Sequence, residues 1–344
     1  MAVNRSLQRG LHRIIHAAFA LYTMVWASGC SCQTDPLRFP YDHGPHADVR
    51  NEWWYFTGTV QTVDGRTIGF ETTLFKRFVS VRKGIAGVGH VAVSLPETRE
   101  HLFSETVTKA PIDGMIPGFA TLELNNFFCR FTDNGTIELA AQGTDVAVDL
   151  RLRPLTDPVL HGESGCIRMG DGVPSWYYSF PNLATTGTLR VRDETHIVVS
   201  GRTWMDHQWG NFTLFGMRWD WFSLRFDDGG SLMLFQFRDL RDRPASLTWT
   251  WCASSGEVFT GSGAAITASR IFEDNSRTCA YPVDWTISIP DISAVFFVRP
   301  LFDEQAISSD VTPDYWEGLC AVTGTIDGAG TSGFAYAELT GYCR

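Results

Sequence analysis

Sustained helical stripes are missing from this 344-residue chain, which argues against a helical bundle or an alternating α/β sheet. Basic charge is in short supply. Lys and Arg number 28 against 38 Asp and Glu, a formal net charge of -10. That balance excludes a phosphate-backbone partner, which needs clustered cations, and no nucleic-acid-binding pattern offsets it. Neither C-x-x-C nor H-E-x-x-H occurs, so no zinc site of catalytic spacing is expected. G-x-S-x-G is also absent. Gly162-Glu163-Ser164-Gly165 has the small residues but no strand–elbow–helix setting, so a secreted serine hydrolase is a weak reading. No Gly-rich loop follows a strand and opens a helix, which argues against nucleotide binding. Charged residues make up 19% and hydrophobic ones 44%, globular values that leave little room for disorder.

What is abundant is aromatic: 13% of residues, with twelve tryptophans. The chain also opens on an export pattern, expected to occupy residues 1–30. Arg5, Arg9 and Arg13 precede an apolar run over 14–26, too short to span a bilayer comfortably. Ala27-Ser28-Gly29-Cys30 then reads like a lipobox, with Cys30 the lipidated first residue of a mature protein anchored at the periplasmic face of a bacterial membrane. Simple cleavage to a soluble exported protein is the alternative. Eight cysteines suit an exported chain, but their pairing stays open, and several read as buried free thiols.

Past Cys32 the pattern is strand. Period-two runs rich in Val, Thr, Phe and Trp are separated by Gly, Asp and Asn turns. Residues 53–62 and 67–75 flank Val63-Asp64-Gly65-Arg66, and residues 219–226 and 231–238 flank Asp227 to Gly230. Short helical turns remain open near 82–89 and 104–108. Hairpins in series predict antiparallel sheets and an all-β protein. Two stretches, 42–77 and 202–238, share a plan: Asp-His first (Asp42-His43, Asp206-His207), then a W-x-[YW]-F strand, a Gly turn, and a strand carrying Glu71 or Gln236. This whole-domain repeat predicts two tandem barrels side by side, over 36–195 and 200–344, with the boundary near 192–201. Trp53 should then match Trp219 and Glu71 match Gln236, with both Asp-His pairs near the interface.

Asp206 and His207 are the best candidates for acid/base chemistry, although neighbours on a strand point to opposite faces. Asp42, His43 and His46 offer metal-ligand atoms, but structural hydrogen bonding is the favoured reading and no metal is expected. Glu52 and Glu71 sit among apolar residues and need a partner or a raised pKa; Arg50, Arg77 or Arg202 is a candidate partner. Trp53, Tyr55, Trp209, Trp219 and Trp221 read as barrel core and interface, or as ligand walls. Of Tyr177 and Tyr178, one ring is expected in the core and one at the surface; Tyr178 is a candidate ligand contact.

The segments FPYDHGPH, RNEWWYFTG, SWYYSFPNLATTGTL, VSGRTWMDHQWG, WDWFSL and the closing YWEG, VTGT and AYAELTGY resemble the AttH-like family over nearly all of the mature chain. That family includes carotenoid 1,2-hydratases (hydroxyneurosporene synthases), and some fungal cyclases of the Diels–Alderase type are similar in architecture. The resemblance implies two lipocalin-like β-barrels and an isoprenoid or lipid-like ligand. It implies either a cofactor-free hydro-lyase or isomerase, or a non-catalytic carrier of the cell envelope. A desolvated carboxylic acid beside an apolar cavity separates the two. In the hydratase branch a carboxylic acid protonates an alkene and a His-x-Trp pair shapes the site; His207-Gln208-Trp209 matches the pair. Gln236 stands where the resemblance places the acid, and an amide cannot protonate an alkene. Asp206, Glu71 or Asp220 would then have to supply the proton.

Overall fold

A computed structural model describes residues 36–80, 84–109, 113–116, 119–214 and 216–343. The expected export segment and Cys30 lie outside these residues. Residues 37–344 form one compact unit. The fold is all-β, as expected. Thirteen strands between Asn51 and Gly210 make one antiparallel sheet, and ten between Arg218 and Thr340 make another. Each sheet curls around its own apolar interior. Residues 84–89 and 104–108, left open as helical turns, lie in strands Gly84–Leu95 and Glu100–Thr108.

Eight strands position the site: β1 (Asn51–Thr62), β2 (Thr67–Ser80), β3 (Pro174–Val191), β4 (Glu194–Gly210), β5 (Arg218–Phe226), β6 (Ser231–Arg238), β7 (Tyr315–Ile326) and β8 (Ala329–Thr340). Their order is β2-β1-β4-β3 in the first sheet and β6-β5-β8-β7 in the second. In both, the opening hairpin is joined by the last two long strands, so the repeat is one of topology. The β1–β2 and β5–β6 hairpins turn at Gly65 (φ 84°) and Gly229 (φ 95°), a region open to glycine at little cost. The sheets change over between Gly210 and Arg218, not at 192–201, because the TWMDHQWG segment extends β4 alongside β1.

Outer strands alternate buried and exposed, as in Val146–Pro154. The motif strands do not: β6 is buried along its whole length, and so is the second half of β4. They carry one face into their own barrel and press the other against the second sheet, so both faces need apolar residues. Tyr55, Tyr177, Trp204, Trp221, Phe235 and Leu319 build this third, inter-sheet core.

Registers place Trp53 opposite Phe75 and Trp219 opposite Phe237, so Trp53 and Trp219 are equivalent. The expected match of Glu71 with Gln236 fails. Glu71 lies opposite Thr57, whereas Gln236 lies opposite Asp220, a position held by Leu74 opposite Trp54 in the first hairpin. Of the cysteines, Cys279 and Cys343 are bridged, and Cys129, Cys252 and Cys320 are buried free thiols.

Candidate functional site: an acid-lined cavity between two barrels

Strand geometry separates Asp206 from His207. The pleat sends Trp204, Asp206 and Gln208 toward the second sheet and Met205, His207 and Trp209 into the first barrel. The two Asp-His pairs are therefore partners, not equivalents. Asp42-His43 forms a short 3-10 turn at the first barrel. There the Asp42 carbonyl lies 3.0 Å from His207 Nδ1, and His43 Nδ1 lies 2.7 Å from the Tyr178 hydroxyl.

Glu52 is the centre of this barrel cluster. His46 Nδ1 lies 2.7 Å and His207 Nε2 3.0 Å from Glu52 Oε1, and Lys76 Nζ is 3.8 Å from Oε2. The arginines expected as partners are not used. Burial works against the Glu52 charge, but the two imidazoles outweigh it and hold the carboxyl below its usual range. Burial also opposes charge on His46, yet Asp42 and Glu52 raise its pKa. His207, wholly buried, is pushed down to about 4 despite Glu52. His46 stacks on Trp209 at 4.1 Å and His207 on Trp54 at 4.5 Å. The atoms of His46, Glu52 and His207 lie close enough to hold a metal. Their hydrogen bonds to one another and the adjacent ammonium already satisfy them. The cluster is a closed, paired network.

The other face is different. A cavity of about 70 Å³ lies between the sheets, walled by Trp53, Tyr55, Tyr177, Trp219, Trp221 and Phe235, with Asp206, Glu317 and Glu338 facing it. Asp206 accepts hydrogen bonds from the Tyr177 hydroxyl (2.6 Å), Trp204 Nε1 (2.5 Å) and the Ser179 hydroxyl. Burial still raises it to about 7, against those three donors. Trp219 Nε1 donates to Glu338 at 3.1 Å; burial, with the Asp206 charge adding, raises Glu338 to about 7. Glu317 accepts from the Tyr55 hydroxyl at 2.6 Å and is held well above the carboxylate range by burial and by Glu338 and Glu71. Glu71 sits behind this wall, bonded by Thr73, and is pushed up to about 8 by burial. None of these four carboxyls has a cationic partner among the described residues.

A hydrogen-bonded chain also reaches Asp206 from the second sheet. His161 bridges Thr250 (2.9 Å) and Ser179 (2.6 Å), and burial pushes its imidazole down to about 3, so it is neutral.

Of the residues expected at a site, Trp53, Tyr55, Asp206, Trp219 and Trp221 line the cavity. His207, Trp209 and Tyr178 belong to the barrel cluster. Tyr177 and Tyr178 are both buried, so neither is a surface ring. Gln236 donates to Asp220 at 3.1 Å inside the second barrel, where Arg238 Nε (3.1 Å) and Tyr342 (2.7 Å) complete the group. The strand presents Phe235 to the cavity instead. Sequence reasoning missed Glu317, Glu338 and His161. A usable signal was present: YWEG and AYAEL each carry one acid at the alternate positions of an apolar run.

Two antiparallel barrels with an acid-lined aromatic cavity between them define the class of fold and site. The chain belongs to the AttH-like family, whose profile matches residues 31–342. A crystal structure described as an AttH protein from Nitrosomonas europaea superposes with a TM-score of 0.81 at 29% identity, over 91% of this chain and 99% of that one. Kievitone hydratase from Nectria haematococca superposes with a TM-score of 0.76 at 18% identity, over 89% and 94% of the two chains, a likeness of fold. The dehydratase asqC of Emericella nidulans is 28% identical over 217 residues, 59% of this chain. The match spans 61% of that relative's length.

Proposed function

We propose that this protein is a hydro-lyase that adds water to, or removes it from, a small apolar molecule, with Asp206 and Glu338 as the proton donor and acceptor. One observation carries the reading: two carboxyls from opposite sheets face one aromatic cavity, and both are held at about 7 with no ion-pair partner among the described residues. Near neutral pH one can be protonated while the other is ionised, the state that acid/base catalysis requires. In dehydration the carboxylate takes a proton from the carbon next to the hydroxyl-bearing carbon. The C–O bond breaks as the carboxylic acid protonates the departing oxygen, and water leaves. Hydration is the reverse. The hydrogen bonds from Tyr177, Ser179 and Trp204 stabilise Asp206 as it becomes charged. Asp206 thus takes the proton-donor role expected at Gln236. A carrier has no use for desolvated acids at its cavity wall, so the same observation favours the enzyme.

The cavity, about 70 Å³, is half of the roughly 150 Å³ that accommodates a benzene, so only a slim reacting end enters. The terminus of an isoprenoid or similar lipid-like chain suits it. Export and anchoring through Cys30 are part of the same proposal, checked by detergent partitioning of Cys30→Ser. Activity is tested by incubating the protein with acyclic carotenes and with allylic alcohols, and reading the gain or loss of one water by mass. Turnover that disappears in both Asp206→Asn and Glu338→Gln supports the reading; turnover indifferent to both overturns it.

A further inference from the structure

Beside the cavity lies a larger cleft of about 1160 Å³, which shares Arg77, Leu214 and Pro313 with it as walls. The cleft adjoins the cavity through these residues, so its chemistry bears on what reaches the acids. Its apolar lining includes Phe78, Val88 and Phe212. Among the described residues its charged lining is Arg50, Arg77 and Lys109 against the single acid Asp310, on a chain whose formal net charge is -10. None of these three cations is ion-paired among the described residues. Arg50 lies over the Phe78 ring at 5.3 Å, at the apolar wall. Arg77 is half-buried. Burial lowers its pKa from the usual arginine value, with Tyr315 and Glu105 opposing. Glu105, the acid whose charge reaches it, is already held by His90 Nε2 at 2.8 Å and by Ser309. A guanidinium at the neck, with no carboxylate of its own, is an incomplete pair.

We infer that the substrate is an amphipathic acid: its anionic group rests on Arg77 at the neck, its reacting end enters the cavity, and its apolar body lies along the cleft under Arg50 and Lys109. This deepens the hydro-lyase reading and rests on it for the site. The cations do two things. Arg77 fixes the anion so that the reacting carbons reach Asp206 and Glu338, and the set reverses, locally, the repulsion an acidic protein exerts on an anion.

The test is calorimetric binding of octanoate and octan-1-ol, which share a chain and differ in charge. The wild-type chain should bind octanoate at least about tenfold more tightly, the size of one charge-assisted hydrogen bond. Arg77→Met should remove most of that preference and Arg77→Lys should restore part of it. Lys109 is exposed, so Lys109→Ala folds independently of any effect at the neck; it should cut the preference by about twofold and weaken its salt dependence. Equal affinity for the two probes, no octanoate binding, or a preference that survives Arg77→Met would overturn the inference. So would variants that lose binding to phosphatidylserine vesicles while keeping the octanoate preference, since the cations would then face a membrane. A chain that prefers octanoate but never adds or removes water would keep the inference about the neck and lose the hydro-lyase reading. Turnover of neutral and acidic substrates alike would do the reverse.

Discussion

Two buried polar regions lie on opposite sides of one strand, and consecutive residues, Asp206 and His207, belong to different ones. Inside the first barrel every acid meets a base. Glu52 takes hydrogen bonds from His46 and His207, and its carboxyl is held down. Between the barrels the acids meet only hydroxyls, indoles and each other, and all four are pushed up. Burial is similar in both regions, so burial alone does not decide which groups can move protons. In these two regions the partner decides. A paired carboxylate is spent on holding the fold, whereas an unpaired one near neutrality can give and take a proton.

The widest break in that comparison comes from the adjacent pair itself. Asp206→Asn should lower turnover by about 10²–10⁴-fold with little loss of fold. His207→Ala should lower stability and leave the pH dependence of turnover in place, read by thermal unfolding beside a pH–rate profile. Next is Glu52→Gln, which removes the carboxylate that His46, His207 and Lys76 share and leaves only Asp42 facing His46; unfolding in denaturant should show a loss of about 3 kcal/mol.

Glu71 gives a smaller, pH-dependent difference. Its folded pKa of about 8 lies above its ordinary value of 4.5, so the folded state holds a proton that the unfolded state releases between those limits. Its contribution is full below about 4.5 and is lost as pH rises through about 8. Glu71→Gln should therefore gain stability relative to wild type as pH rises across that window; a constant difference would mean that Glu71 is ionised in the fold. The smallest effect is expected from Trp219→Phe. Removing the indole donor from Glu338 should move that carboxyl's limb of the pH–rate profile upward by less than about one unit.

The hairpins were legible because alternation and Gly turns are local signals: the turns at Gly65 and Gly229 fall where the sequence places them. The Asp-His repeat was misleading because two residues cannot show which face each will take. One pair lies on a 3-10 turn and the other on a strand, and of the second pair only His207 joins the first in the barrel cluster. The strand that closes the first sheet looked like the start of the second because its motif resembles an opening. Glu317 and Glu338 stayed hidden because what defines them is distant: Tyr55 reaches Glu317 and Trp219 reaches Glu338 across hundreds or more than a hundred positions of chain. Gln236 pointed to the right strand but to its other face.

The protonation of Asp206 and Glu338 can be observed without any substrate. Infrared difference spectra of the carboxylic-acid carbonyl band, taken from about pH 5 to 9, should show two groups titrating at about 7, apart from Glu71 at about 8. One signal should vanish in Asp206→Asn and the other in Glu338→Gln. If both carboxyls instead lose their protons together with the surface acids near about pH 4, the cavity holds ordinary carboxylates and the account of this site is wrong.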